Sequence, residues 1–312
     1  MAPFLPVQGG ILVMMGLDRF SGADLWSPGA LIVFIIIGAC YLLLVGPLRG
    51  RFVNSEPVSI GRRLLFLAGL VTYYIGNYGP FMLLGHLMFS MHMLSMVLSF
   101  FLAPPLLLLG LPKWLVQPVI SHRAVAPFFR FLTHPLVTVL CFNVFFSFYH
   151  MPVIHDYVMT HYAVHMVYFN VLLLTSFMMW WPVLGPMPET EKLSELRKMA
   201  YIFSNGVLIT PACALIIFAE NPLYSTFNDP QMWAMALGYC IPAGSDFILS
   251  NFVGPESFAL FPPAEDQQLG GVIMKVMQEI IYGSALAYVF FNWYRKEKHD
   301  DELGEQGDPL PN

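Results

Sequence analysis

The stretch that decides the fold is residues 81–103, which read FMLLGHLMFSMHMLSMVLSFFLA. The run contains no Asp, Glu, Lys or Arg. A helix rises about 1.5 Å per residue, so this run is long enough to cross the roughly 30 Å hydrocarbon core of a bilayer. His86 and His92 nevertheless lie inside it. Ionisable side chains at membrane depth are costly and usually mark a pathway, a cofactor or a metal, so we expect a functional site here.

The whole chain shares the character of this stretch. Of its 312 residues 57% are hydrophobic and only 11% are charged, and the mean hydropathy is +0.63. Soluble domains are far more charged, so the composition predicts an integral membrane protein that lies in the lipid bilayer. The net charge of −5 offers no basic surface for phosphate backbones, which excludes nucleic acid as a partner.

Seven apolar stretches are candidates for membrane-crossing helices, and together they predict an all-α, polytopic membrane protein. They are residues 29–45, 61–78, 81–103, 135–149, 157–183, 199–219 and 270–293. Of the 15 basic residues, 13 fall in the segments that alternate on one side of such a bundle. The positive-inside rule then places the N-terminus outside and the C-terminus in the cytoplasm.

This assignment also predicts the domain organisation. Residues 1–295 form one seven-helix transmembrane domain, and residues 296–312 form a disordered cytoplasmic tail. Residues 220–268 form a long external loop that is acidic and contains no Lys or Arg. Within it, residues 230–252 are apolar but contain Gly238, Pro242 and Asp246, so we interpret them as a re-entrant or interfacial segment and not as an eighth span.

Six of the nine histidines fall in the outer half of the predicted bundle. They are His86, His92, His150, His155, His161 and His165. His161 and His165 are four residues apart, which places them on one face of a helix at a spacing that suits two ligands of one metal. The alternative is a pair of hydrogen bonds between helices. His155 is also consistent with a solvated loop histidine.

Methionines accompany the histidines of the third predicted span. Met88, His92 and Met96 repeat every four residues and therefore share one stripe of the helix. Thioether beside imidazole favours Cu(I), and neither ligand carries charge into lipid. Methionine at helical spacing is also common as core packing, so this alternative stays open.

The seventh predicted span carries two charges, Lys275 and Glu279. Neither is tolerable unpaired in lipid, so we expect an internal pair or a role in proton or metal transfer. The chain contains no G-x-x-x-x-G-K-[ST], G-x-S-x-G or H-E-x-x-H motif. Nucleotide-driven pumping and hydrolysis therefore have no support, and we expect that the protein is not an enzyme.

Several short motifs occur together along the chain. They are Ser90-Met91-His92-Met93, Ala103 to Gly110, His134-Pro135, His150, His161 with His165, Trp180-Trp181-Pro182 and Asp266 to Gly271. In combination they resemble the CtaG family of cytochrome c oxidase assembly factors of Gram-positive bacteria. The family pattern has a second histidine four residues after the one that corresponds to His92, and this chain has Met96 there. The difference replaces one imidazole with another soft donor.

The resemblance implies a multi-pass protein of the bacterial plasma membrane that is needed to form active caa-type oxidase. It implies copper supply to the catalytic subunit of a haem-copper oxidase, with an external copper chaperone as a candidate donor and a homodimer left open. The expected copper ligands, for Cu(I), are His86, His92, Met96, His150, His161 and His165. A haem-binding membrane redox protein and a metal-free scaffold for oxidase assembly are the alternatives.

Overall fold

The computed structural model describes residues 20–186, 193–240 and 244–306. This part of the chain is helical and contains no strand, which confirms the all-α prediction. Its helices are α1 (Gly22–Trp26), α2 (Pro28–Val45), α3 (Ile60–Asn77), α4 (Pro80–Leu87), α5 (Phe89–Met96), α6 (Ala103–Gly110), α7 (Lys113–Ile120), α8 (Ala126–Leu132), α9 (Pro135–Tyr149), α10 (Pro152–Thr160), α11 (Tyr162–Leu184), α12 (Glu195–Ile217), α13 (Pro230–Leu237), α14 (Gly244–Asn251) and α15 (Pro263–Gln306). A π-helical segment, Val97–Leu102, joins α5 to α6.

Within the described ranges, five helical stretches are long and apolar enough to cross a membrane. They are Gly22–Val45, Phe89–Gly110, Tyr162–Leu184, Glu195–Ile217 and Pro263–Lys298. A sixth results if α8 and α9, which are bent by 61°, are counted as one broken span. The protein is therefore a polytopic membrane protein with five or six candidate spans. Its orientation, outside to inside, stays a prediction.

The predicted second span, residues 61–78, coincides with α3, which is not among the candidate spans. Its 18 residues include Arg62, Arg63 and Asn77, and these lower the apolar character that a span requires. Nevertheless α3 belongs to the bundle, because its apolar side packs against α2 and α6.

The predicted third span, residues 81–103, is not one continuous helix. Helix α4 ends at Leu87, Met88 adopts an extended backbone, and α5 starts a new direction at Phe89. The two helices pack closely at the break, where a Cβ on Gly85 would lie only 3.1 Å from the Cα of His92. The membrane-length helix is instead Phe89–Gly110.

A similar break divides the predicted fifth span, residues 157–183. Helix α10 ends at Thr160, and His161 adopts an extended backbone (φ −127°, ψ 96°) before α11 begins at Tyr162. Tyr157 therefore belongs to a short separate helix, and His161 is the N-cap of α11 and not a residue of its first turn. The prediction that His161 and His165 share one helical face is wrong for this reason.

Proline chemistry explains the π-helical segment in the long buried helix. Pro104 has no N–H and cannot donate to the carbonyl oxygen of Phe100, four residues earlier. The hydroxyl of Ser176, on α11, donates to that oxygen instead. This hydrogen bond holds α11 against the centre of the bundle, where the main apolar core lies.

Two further differences concern the C-terminal third of the chain. The predicted re-entrant or interfacial segment contains two short helices, α13 (Pro230–Leu237) and α14 (Gly244–Asn251), which pack on each other and, through α13, on α4. The segment predicted as a disordered tail from residue 296 is helical as far as Gln306, because α15 continues through it. Residues 307–312 lie outside the described residues.

Candidate functional site

Helices α3, α4, α5 and α11 enclose a cavity of about 220 Å³ on the side of the bundle where α4 meets α5. Its lining includes three of the predicted site histidines, His86, His92 and His165. Two methionines, Met82 and Met166, line it as well. We call this space the histidine cavity. The sequence placed these residues on separate segments, and the fold brings them together.

His86 is buried on α4, and its Nδ1 lies 2.8 Å from the backbone carbonyl oxygen of Met82. A carbonyl only accepts hydrogen bonds, so Nδ1 carries the proton and Nε2 is the bare nitrogen. The ring lies almost parallel to that of His165, with 5.8 Å between ring centres and 23° between planes. His86 therefore presents a metal-competent tautomer beside a second imidazole.

His165 lies in the first turn of α11, and its ring packs on Phe169 at 4.1 Å between centres. Neither of its ring nitrogens has a hydrogen-bond partner among the described residues. One nitrogen of a neutral imidazole is always an acceptor. The ring is therefore held by packing while its nitrogens remain available.

The tautomer of His92 is set by a buried relay. The hydroxyl of Tyr149 lies 3.1 Å from Nε2 of His92 and 3.3 Å from the sulfur of Met159. A thioether can only accept, so the single hydroxyl proton of Tyr149 goes to Met159, and Nε2–H of His92 donates to the tyrosine oxygen. Nδ1 of His92 is then the bare nitrogen. Tyr149 thus acts on His92 as an outer-shell partner acts on a metal ligand.

The start of α5, which carries His92, is held by α15. The carboxylate of Asp266 accepts hydrogen bonds from the backbone N–H of Ser90, at 3.2 Å, and from the Ser90 hydroxyl. It therefore caps an otherwise unpaired N–H at the start of a helix. A Cβ on Gly270 would lie 2.8 Å from the Phe89 ring, so glycine is required for this close approach. The Asp266 to Gly271 motif thus positions α5.

His155 is fully buried, which the sequence did not reveal. Its Nδ1 lies 3.3 Å from the hydroxyl oxygen of Thr226 and 3.6 Å from a carboxylate oxygen of Asp156, and its Nε2 has no partner among the described residues. Its ring centre lies 5.3 Å from that of His92. The alternative of a solvated loop histidine is therefore wrong. Its position in an apolar turn after Pro152, between Ile154 and Asp156, was the available signal.

The surroundings of α10 keep His155 neutral and Asp156 ionised. Burial lowers the pKa of His155, so the ring is neutral near pH 7. Burial alone would raise the pKa of Asp156, but the nearby His155 ring and hydrogen bonds from Thr226 and from the backbone N–H of Ser225 outweigh it and lower the pKa to about 2. The Asp156 carboxylate thereby fixes the loop that follows α12 against α10.

The remaining predicted ligands lie away from the histidine cavity. His150 is buried, donates from Nδ1 to the carbonyl oxygen of Phe146 at 2.7 Å, and leaves Nε2 without a partner among the described residues. His161 is exposed and stacks on Tyr157 at 4.1 Å between ring centres. Met96 is fully buried in the main apolar core. The cavity methionines are instead Met82 and Met166.

Within the described ranges, no group of three or more His, Cys, Asp or Glu side chains is arranged to hold a metal ion. The sulfur and imidazole donors that line the histidine cavity are the three histidines, the thioethers of Met82 and Met166, and the thiol of Cys240. This set is neutral and soft, which suits Cu(I) better than Zn²⁺ or Mg²⁺. The donor types in the cavity therefore match the ligand preferences of copper.

The family model for the cytochrome c oxidase caa3 assembly factor (Caa3_CtaG) matches residues 39–296 of the 312-residue chain. The matched segment contains the three histidines of the cavity, the buried relay and the Asp266 to Gly271 motif. No curated protein and no solved structure matches the chain.

Proposed function

Because the chain belongs to the Caa3_CtaG family of cytochrome c oxidase caa3 assembly factors, we propose that it binds Cu(I) in the histidine cavity and supports copper supply to the oxidase. The family confirms the resemblance read from the sequence motifs. It also assigns the protein to cytochrome c oxidase assembly. Copper, its ligands and its route are our proposal.

The observation that carries the copper proposal is the pairing of His86 with His165. The two rings share one cavity with 5.8 Å between their centres, a separation short enough for both imidazoles to reach one metal ion at about 2.0 Å per nitrogen. His86 has a bare Nε2, and His165 has no competing hydrogen bond within the described ranges. We propose these two as ligands, with His92, Met82 or Met166 completing the site. His150, His161 and Met96 then serve structural roles.

In this proposal, the copper ion would pass from the outer face of the membrane to the catalytic subunit of a haem-copper oxidase. An external copper chaperone is the proposed donor, and the acidic segment 220–268 would attract cations near the entrance. Neutral ligands favour transfer, because neither binding nor release leaves an unpaired charge at membrane depth. In this proposal the protein is a non-enzymatic metallochaperone of the bacterial plasma membrane.

The haem alternative has less support from the structure. Ligand pockets for molecules of drug size span roughly 300–1,000 Å³, and the histidine cavity encloses about 220 Å³. The metal-free scaffold alternative is addressed by experiment, because it predicts no bound metal. A visible spectrum without a Soret band would separate copper and scaffold functions from haem binding.

The test is copper binding by the purified protein under reducing conditions. The wild type should bind Cu(I), and the double variant His86→Ala, His165→Ala should lose that binding. His161→Ala is the matched control, since it removes an exposed imidazole outside the cavity. All variants should accumulate in the membrane, because one polar contact in a bilayer contributes only about 0.6 to 2 kcal/mol.

Two results would contradict the proposal. Full copper content in the double variant would show that His86 and His165 are not the ligands. A wild-type protein that binds no Cu(I), while oxidase assembly still depends on it, would favour the metal-free scaffold.

A further inference from the structure

Helices α12 and α15 form a groove of about 160 Å³ on the outside of the bundle, and its lining includes Gly206, Thr210, Lys275, Glu279 and Gly283. None of the residues that line this groove also lines the histidine cavity. We propose that this groove is the docking site for a transmembrane helix of a partner membrane protein that brings a hydrogen-bond donor to Glu279. The inference goes beyond copper binding and uses none of the proposed ligands.

The first observation is a charged pair that the bundle does not cover. Nζ of Lys275 lies 2.5 Å from Oε1 of Glu279 and 3.0 Å from the hydroxyl oxygen of Thr210. The side chains nevertheless remain 26% and 59% exposed, respectively. Both side chains line the groove, and Glu279 is the more exposed of the two.

The second observation is the depth of this pair. At about 1.5 Å per residue, Lys275 and Glu279 lie roughly 18 and 24 Å along α15 from Pro263, and more than about 25 Å from Lys298. Both therefore fall inside the hydrocarbon region of the candidate span Pro263–Lys298. Ionisable side chains at this depth almost always face protein or a water-filled cavity and not lipid. The described residues do not cover Glu279, so this side chain needs a covering group beyond them.

The third observation is an unfilled acceptor. Lys275 and Gln278 both hydrogen-bond to Oε1 of Glu279. The second carboxylate oxygen, Oε2, has no hydrogen-bond partner in the part of the chain that the structure describes. An acceptor without a partner costs several kcal/mol in hydrocarbon, so the covering group is expected to be a donor.

The fourth observation is Gly283, one helical turn beyond Glu279. A Cβ added there would meet nothing within 4 Å, so the fold of this chain does not require glycine. Glycine inside a helix is destabilising by about 0.5–1 kcal/mol relative to alanine. Small residues on membrane helices let a second backbone approach closely. The open space at Gly283 therefore suits a partner helix.

The charge pattern favours a different protein over a second copy of this chain. Two copies inserted in the same direction are related by an axis along the membrane normal, so residues at equal depth meet. Glu279 would then face Glu279, and Lys275 would face Lys275. Like charges placed together at low dielectric are repulsive. A heterologous helix with a donor side chain avoids this cost.

The experiment places a photoreactive amino acid, p-benzoylphenylalanine, at position 283 of the full chain in native membranes. Gly29, on α2, receives the same probe as the matched control, because its Cβ would also meet nothing within 4 Å. Irradiation should give an adduct from position 283, but not from position 29, with another membrane protein. Mass spectrometry should map the adduct to a transmembrane segment that contains a hydrogen-bond donor. Adding Glu279→Gln should lower its yield roughly three- to tenfold.

Three outcomes would overturn the proposal. They are adducts with lipid alone, adducts only with a second copy of this chain, and an adduct whose yield is unchanged by Glu279→Gln. Membrane abundance is measured in parallel, and Gly283→Leu, which should fold normally, should lower co-purification of the cross-linked protein. Copper content measured in the same variants should not change, so failure of the docking site and failure of the copper site remain distinguishable.

Discussion

Tyr149→Phe is the most informative single change in the site, because it removes one hydroxyl and keeps the ring. Tyr149 is fully buried, and its ring packs against His92, His150 and His155 with 5.1 to 5.8 Å between ring centres. Phenylalanine preserves this packing. The change leaves Nε2–H of His92 without its acceptor and Met159 without its donor.

The magnitude follows from these two lost contacts. A buried donor that loses its partner costs about 1–3 kcal/mol, and the thioether adds little because it is a weak acceptor. We therefore expect Tyr149→Phe to lower the free energy of unfolding by about 1–3 kcal/mol. Removing an outer-shell partner of a metal ligand typically lowers metal affinity about 10- to 100-fold. If His92 contributes to the copper site, Cu(I) affinity should fall within that range.

Competition with a chromophoric Cu(I) chelator measures the affinity, and thermal unfolding in detergent measures stability. Tyr168→Phe is the control, because it also removes a hydroxyl between α9 and α11. That hydroxyl donates to the carbonyl oxygen of Phe145 at 2.9 Å and does not contact an imidazole. The control should lose some stability and keep its copper affinity. Unchanged unfolding stability in Tyr149→Phe would refute the relay to His92, and unchanged Cu(I) affinity in the folded variant would exclude His92 as a copper ligand.

Three further predictions concern the framework of the site. Asp266→Ala removes the cap of α5 and should lower stability by about 0.5–2 kcal/mol, measured by thermal unfolding, whereas Glu265→Ala should have little effect. The pKa of Asp156 is lowered to about 2 in the folded state. Its carboxylate therefore contributes fully to the free energy of unfolding above about pH 5, and this contribution is lost as the pH falls towards 2. The difference in unfolding free energy between wild type and Asp156→Asn should shrink over that range. Ser176→Ala leaves the Phe100 carbonyl unpaired and should cost about 1–3 kcal/mol, and wild-type thermal stability would contradict that assignment.

Much of the fold follows from local composition. A chain segment in the bilayer must pair its own backbone N–H and C=O groups, and a helix does this within one segment. Apolar runs such as 199–219 therefore predict helices without knowledge of the fold. Proline positions are also local, since Pro135 starts α9 in the sequence and in the structure. The same locality explains the errors, because Met88 and His161, where the backbone breaks, are not residue types that usually end a helix.

The sequence by itself determined that this chain is a helical membrane protein with costly histidines at membrane depth, because both properties depend on residue type and spacing. Only the tertiary structure decided which histidines share a site. His86 and His165 are far apart in the chain, and their meeting depends on the break between α4 and α5. The burial of His155 and the tautomer of His92 likewise depend on Thr226, Tyr149 and Met159. These are hydrogen bonds between distant segments, and no local pattern encodes them.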